Sequence, residues 1–281
     1  MLYTPQTNQY YVEDTNSRST PTNNGFGTAL TVPTIATGYG AYTVIGATED
    51  YPAFGFTLNV NGVYSSARSR KAVVTLAYGA SGSEVAVISD ILVSGRGDAS
   101  TNNLVVYFPM YVPANTNVSL KFAWDGASST PAPAPYADII FVTGSNGDPL
   151  NRTLYECDTY GITSTTTPRG TDVTSDTSAG TYGSLTNLGT TTRDYKAIIL
   201  IPGVEDNTSA TAATYFLKLH PTSTNIITNY IGFQTTDEIS TGPIPGMPTV
   251  VNIPSGTSLQ VAMAQNNAGA LTIDWAAYCF Y

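Results

Sequence analysis

The sequence predicts an all-β protein of two tandem antiparallel β-sandwich, jelly-roll-like domains that arose by internal duplication. Three observations carry this: a composition suited to strands and turns, short stretches of alternating apolar side chains, and a self-similarity at an offset of about 140 residues.

Charged residues make up only 11% of the 281 positions, against roughly 25% in an average globular protein. Polarity comes instead from Thr, Ser and Asn, with 25 Gly, 17 Pro and 19 Tyr. Thr and Tyr favour strands, while Gly, Pro and Asn punctuate turns. A helical chain would need far more Glu, Lys, Arg and Gln on its exposed faces.

Residues 1–35 are rich in Thr, Asn, Pro and Gly without a sustained apolar period. They are expected as an extended arm, ordered by packing on a partner or on the chain's own body. Residues 36–145 are expected as the first sandwich, 146–181 as a Thr/Ser/Gly-rich linker and 182–281 as the second sandwich. Tyr39 to Thr48 (YGAYTVIGAT) and Tyr182 to Thr191 (YGSLTNLGTT) share five of ten residues. Asp50-Tyr51-Pro52-Ala53 then matches Asp194-Tyr195-Lys196-Ala197. Each block runs into an apolar strand, Phe54–Val60 in one copy and Ile198–Ile201 in the other. Ala72–Tyr78 is aligned with Ala213–Leu219. Val112-Pro113-Ala114-Asn115-Thr116 is aligned with Ile253-Pro254-Ser255-Gly256-Thr257, a turn in which Pro fixes φ and Asn or Gly accepts φ > 0. Alternation such as Leu120-Lys121-Phe122 and Leu217-Lys218-Leu219 turns every second side chain to one face. Final strands are expected at Ala137–Val142 and Ile273–Phe280. Turn-separated strands of this spacing fit a jelly roll or an immunoglobulin-like sandwich, and strand order decides between them.

The formal charge of −9, with 11 Lys and Arg, leaves little to build a phosphate-binding face, so no nucleic-acid partner is expected. Met1 to Asp14 has no basic segment followed by an apolar one, and no export signal is expected. No apolar run nears the roughly 18 residues of a membrane helix, and no membrane insertion is expected. Cys157 and Cys279 lack a CxxC neighbour and are expected as free thiols.

Chemistry-bearing motifs are sparse. His220 is the only histidine and stands beside Pro221, where it reads as a surface residue; no GxSxG, HExxH or phosphate loop occurs. Glu49 with Asp50, Glu84 with Asp90, and Asp237 with Glu238 are the acid pairs that glycoside hydrolysis would need, and none stands out. Asn146-Gly147-Asp148 lacks the ligand periodicity of a calcium loop, and Arg96-Gly97-Asp98 reads as an ordinary turn. The expectation is a chain without enzymatic activity, cofactor or metal. Arg68, Arg70 and Lys71 form the one dense basic run, a solvated strand entrance or a contact for an acidic partner. Trp124 and Trp275 fall late in each copy, where they serve as core or as a platform for a sugar ring.

Ala77-Tyr78-Gly79-Ala80-Ser81-Gly82-Ser83-Glu84, Ile88-Ser89-Asp90-Ile91-Leu92 and Val112-Pro113-Ala114-Asn115-Thr116 resemble the turns of accessory virion proteins of tailed bacteriophages. The likeness covers most of 39–142 and, more faintly, 182–281, where Pro221-Thr222-Ser223-Thr224 replaces the GASGSE turn. The resemblance implies a virion protein made in the host cytoplasm. It would sit on the head exterior or the tail, contact other virion proteins and form a symmetric homo-oligomer. The alternative is a module that binds a bacterial surface glycan.

Overall fold

The computed structural model describes residues 10–14, 27–33, 38–63, 70–95, 102–124, 133–144, 154–163, 169–205, 214–221, 227–236, 240–241, 245–246 and 248–281. Every regular element among them is a strand.

The first copy contains β1 (Tyr10–Asp14), β2 (Thr28–Ala29), β3 (Thr43–Ala47), β4 (Ala53–Asn61), β5 (Arg70–Tyr78), β6 (Val85–Gly95), β7 (Asn102–Phe108), β8 (Asn117–Trp124) and β9 (Tyr136–Gly144). One sheet runs β1-β9-β4-β7, with β2 also on β9, and the other runs β3-β8-β5-β6. The second copy contains β10 (Cys157–Tyr160), β11 (Thr171–Thr174), β12 (Thr186–Thr190), β13 (Tyr195–Glu205), β14 (Thr214–Pro221), β15 (Ile227–Thr236), β16 (Ser240–Thr241), β17 (Pro245–Gly246), β18 (Thr249–Ile253), β19 (Ser258–Gln265) and β20 (Thr272–Phe280). Its sheets run β10-β20-β13-β18, with β11 also on β20, and β12-β19-β14-β15-β16. The two orders are identical strand for strand once β16 and β17 are set aside, β17 pairing parallel with β7 of the first copy as Pro245↔Val105. With β1 and β2, and likewise β10 and β11, counted as one split first strand, each copy interleaves two four-stranded sheets in the eight-strand jelly-roll pattern, which settles the choice against an immunoglobulin-like order.

This topology revises the reading of the polar stretches. Residues 146–181, expected as a linker, contain β10 and β11, which pair antiparallel with β20 as Cys157↔Phe280 and Thr171↔Trp275. The arm likewise supplies β1 and β2 to β9, as Tyr10↔Gly144 and Thr28↔Ala137. Both are first strands of a jelly roll. Cys157–Tyr160 is only half-buried throughout, so it is held by main-chain pairing and carries no apolar pattern to announce it.

The aligned turns explain why the repeated residues recur. Thr48 Oγ1 donates to the Pro113 carbonyl at 2.5 Å and accepts the Thr116 amide at 3.0 Å. Thr191 Oγ1 donates to the Pro254 carbonyl at 2.7 Å and accepts the Thr257 amide at 2.8 Å. Asn115 and Gly256 hold the positive φ that each turn needs, 53° and 80°. The Ala72–Tyr78 alignment, by contrast, slips by two. Tyr78 pairs with Val118, whereas Pro221 pairs with the equivalent Leu259. Tyr78 thus corresponds to Pro221, and the even shift keeps each side chain on its face.

Two cores result, and they share a wall. One includes Phe56, Leu76, Phe108, Phe122 and Phe141 of the first copy, and the other Tyr195, Leu217, Met263 and Trp275 of the second. Alternate residues of β13 and β20 divide between them. Ile198, Leu200, Ala277 and Cys279 face their own copy, while Ile199, Ile201, Ala276, Tyr278 and Phe280 complete the core of the first. A sheet covered on both faces reads as a continuous apolar run, and Ile198-Ile199-Leu200-Ile201 and Ala276-Ala277-Tyr278-Cys279-Phe280 do so. Matching Phe56↔Phe141 with Ile198↔Cys279 sets Thr57, Asn59, Asp138 and Ile140 at the equivalent outer positions of the first copy. Three of these four side chains are polar and all are only partly buried, so the seam forms on one copy alone.

Candidate functional site

Among the described residues, the junction of the two jelly rolls gathers a dense set of polar contacts. Its centre is a bulge in β6. Val74 pairs with Ile91 and Leu76 with Ile88, so Ser89 and Asp90 together oppose Thr75. Asp90 takes a φ of 56°, a left-handed conformation that Asp tolerates better than most residues. β6 is also the outer strand of its sheet, so main-chain groups on its free edge lack ladder partners, and here the second copy satisfies them. The Tyr278 hydroxyl donates to the Asp90 carbonyl at 2.8 Å and accepts the Leu92 amide at 2.8 Å. Thr159 Oγ1 donates to the Ser89 carbonyl at 2.9 Å. From within the first copy, Thr75 Oγ1 accepts the Asp90 amide at 3.4 Å and the Tyr39 hydroxyl donates to the Asp90 carboxylate. Burial, reinforced by Asp90, pushes the Tyr39 phenol well above its ordinary range; burial alone dominates for Tyr278.

A tyrosine-rich rim borders this junction. Tyr155 and Glu156 are tied to the last residue by the Tyr155 amide on the Tyr281 carbonyl (3.1 Å) and the Tyr281 amide on the Glu156 carbonyl (3.2 Å). The Tyr281 hydroxyl donates to Glu156, and the Tyr195 hydroxyl to Asp158. The Tyr160 and Tyr195 hydroxyls lie 2.6 Å apart. Arg193 closes the set, with Nε 3.3 Å from Asp158, Nη1 3.8 Å from Glu156 and its guanidinium 4.2 Å from the Tyr281 ring centroid. Burial first, then hydrogen bonding to the carboxylates, pushes the Tyr195 and Tyr281 phenols upward. On the first copy's side, Tyr111 meets Tyr155 at 5.4 Å between ring centroids and Phe54 at 6.3 Å. Tyr155 remains 62% exposed. Two carboxylates against one guanidinium leave the rim net negative.

The residues singled out from the sequence lie elsewhere. Trp124 is 7% exposed in the first core and Trp275 fully buried in the second. Neither can serve as a sugar platform, because each indole fills the space between facing sheets. Arg70 and Lys71 open β5 opposite Gly95 and Ser94. Arg68, Arg96-Gly97-Asp98, Asn146-Gly147-Asp148 and Asp237-Glu238 lie outside the described residues. His220 stands within β14, half-buried opposite Gln260. Burial, then the nearby Lys218 charge, lowers its pKa. Glu49 and Asp50 are exposed; Glu84 accepts the Gly82 amide and Asp90 the Tyr39 hydroxyl, so that acid pair is divided between turn and bulge. Cys157 and Cys279 are free. They sit on neighbouring strands one register step apart, opposite Phe280 and Asp158 respectively, and so turn to opposite faces. Among the described residues no three His, Cys, Asp or Glu gather as metal ligands, and no helix is long and apolar enough to cross a membrane.

The seam and the rim were both missed from sequence. A signal existed for the seam in the unbroken apolar runs of β13 and β20. For the rim there was only the surplus of tyrosine, since its members come from 155–160, 192–195 and the last residue.

No family model and no curated protein matches the chain. Solved structures similar to it include the CBM22-1-CBM22-2 tandem domain from Paenibacillus barcinonensis Xyn10C, at 9% identity over 85% of this chain and 82% of that one, TM-score 0.24. Others are the infectious bursal disease virus Gt strain (14% identity, 97% and 71% covered, TM-score 0.27) and the VP2 subviral particle of infectious bursal disease virus (11%, 97% and 71%, TM-score 0.25). At these scores the likenesses carry no weight, and the jelly-roll assignment rests on strand order.

Proposed function

We propose that the chain is a non-enzymatic structural component of a bacteriophage virion, an exterior head or tail-associated protein made in the host cytoplasm and assembled as a symmetric homo-oligomer. The observation that supports this best is the seam. Shared burial across β13 and β20, with bulge carbonyls and an amide satisfied from the other copy, welds two jelly rolls into one stiff block. Stiffness of that kind serves a particle part. The carboxylates at the junction fit this reading, because Asp90, Asp158 and Glu156 are engaged by Tyr39, Tyr195 and Tyr281 in structural bonds.

Incorporation tests it. Particles from a genome encoding the chain are purified and probed for it, intact and lacking residues 1–9, which precede β1. The intact chain is expected in a fixed stoichiometry that is a multiple of a symmetric oligomer, and the shortened one in the soluble fraction. Absence of the intact chain from the particles overturns the proposal. Removing all of residues 1–35 would be a poor test, since it also strips β1 and β2 from β9.

A second reading, recognition of a bacterial surface glycan, is favoured by one observation: Tyr155 is exposed yet anchored between Tyr111 and the main chain of Tyr281.

A further inference from the structure

We infer that the rim formed by Tyr155, Glu156, Arg193 and Tyr281 is a binding site for neutral saccharides. The inference rests on the glycan-recognition reading and gives it a place and a ligand class.

Tyr155 supplies the platform. A large ring left 62% exposed exposes apolar surface to water unless something covers it. Here the ring is not on a wandering loop. Its amide is fixed on the Tyr281 carbonyl, and the preceding Leu154 carbonyl accepts the Tyr111 amide at 2.8 Å. One side of the ring is braced by Tyr111. A platform held in place before the ligand arrives loses little entropy on binding. The flat C–H face of a pyranose ring fits against such an aromatic face, with its hydroxyls directed outward.

Those hydroxyls would find partners beside the ring. The Glu156 side chain is 65% exposed and that of Arg193 50% exposed, so each keeps hydrogen-bonding capacity beyond their contact with one another. Glu156 accepts from sugar hydroxyls and Arg193 donates to sugar oxygens. The bonds from Tyr281 to Glu156 and from Arg193 to Asp158 set the orientation of both groups in advance.

Charge selects the class. Glu156 and Asp158 outnumber Arg193 at the rim, and the chain as a whole carries −9. An anionic glycan approaches a surface of its own sign, and the one guanidinium there is already held by two carboxylates. Neutral sugars escape that penalty. The position at a junction between domains is also one that small-ligand sites favour.

The test is calorimetric titration of the full chain with maltohexaose, cellohexaose and chitohexaose as neutral probes and with oligogalacturonate as an anionic one. The expected result is saturable binding of at least one neutral probe, none of the anionic one, and about a tenfold loss in Tyr155→Ala, in keeping with the worth of one aromatic contact. Phe216→Ala, at an exposed ring on β14 outside the rim, should retain neutral binding. Unchanged denaturation midpoints in both variants separate loss of the site from loss of the fold. Preference for oligogalacturonate overturns the ligand class while leaving glycan recognition standing. Neutral binding indifferent to Tyr155→Ala overturns the location alone. No binding of any probe by folded protein overturns both.

Discussion

Tyr278 and Asp90 are 188 residues apart in sequence, yet the Tyr278 hydroxyl donates to the Asp90 carbonyl at 2.8 Å. The same oxygen accepts the Leu92 amide. A single phenol from the last strand therefore satisfies two main-chain groups on the free edge of β6, at and beside its bulge. Its ring meanwhile lies in the first copy's core. This one side chain thus joins the copies in both polar and apolar terms.

Tyr278→Phe tests the relationship with almost no change in volume. It leaves the Asp90 carbonyl and Leu92 amide unpaired in a dry place, which costs about 1–3 kcal/mol. Chemical denaturation should show a loss in that range. Loosening of the seam should also broaden a single transition or split it in two, as the copies begin to unfold separately. A loss of a few tenths of a kcal/mol with one sharp transition would mean that apolar contact alone joins the copies.

How much of this was legible differs from element to element. Turn chemistry was plain, because Pro113-Ala114-Asn115-Thr116 and Pro254-Ser255-Gly256-Thr257 state the φ requirements in their residues. The strands of both sheets were visible as alternation. Their partners were not, because period-two patterning tells which face is buried and nothing of which strand lies beside it. Strand order, and with it the jelly roll, came only from the structure. Cys157–Tyr160 and Thr171–Thr174 escaped notice because edge strands bound through the main chain need no apolar stripe. Ile198–Ile201 was read as an ordinary strand, although an unbroken apolar run already signals cover on both faces. The tryptophans read from sequence as core or as a sugar platform, and burial, which the facing sheet decides, makes them core.

The paired threonine clamps should be equivalent. Thr48→Val and Thr191→Val each keep the side-chain shape, remove a donor to a proline carbonyl and strand an amide, the part-buried one of Thr116 or the buried one of Thr257. Each is expected to cost about 1–3 kcal/mol in denaturant titration. A clearly unequal pair would show that the duplicated turn no longer does the same work in both copies.

Backbone strain gives a cleaner contrast at the same turns. Gly256 has a φ of 80° and open space around the position a Cβ would take. Gly256→Ala should therefore cost about 1–2 kcal/mol from conformation alone. Asn115→Gly relieves the left-handed geometry at 53° and should lie within a few tenths of a kcal/mol of neutral, since Gly gains freedom in the unfolded chain as well. Equal losses from both changes would contradict the account.

The alkaline limb of stability follows from the buried phenols. Burial pushes Tyr39, Tyr78, Tyr195 and Tyr278 upward, with Asp90 adding to the effect at Tyr39 and Asp158 at Tyr195. A phenol raised on folding favours the folded state fully below its unfolded value of about 10. Above that pH the unfolded chain releases protons that the folded chain retains, so stability falls as pH rises toward the folded values. Tyrosinate absorbance should accordingly appear in two stages. The first stage is reversible with the fold intact, and the buried set ionises only with loss of the far-ultraviolet strand signal. Tyr278→Phe removes one buried phenol and one seam clasp together, so it should lower the alkaline midpoint while reducing the late absorbance step. Smooth titration of every tyrosine with the fold intact would place these phenols in water and overturn the seam as described.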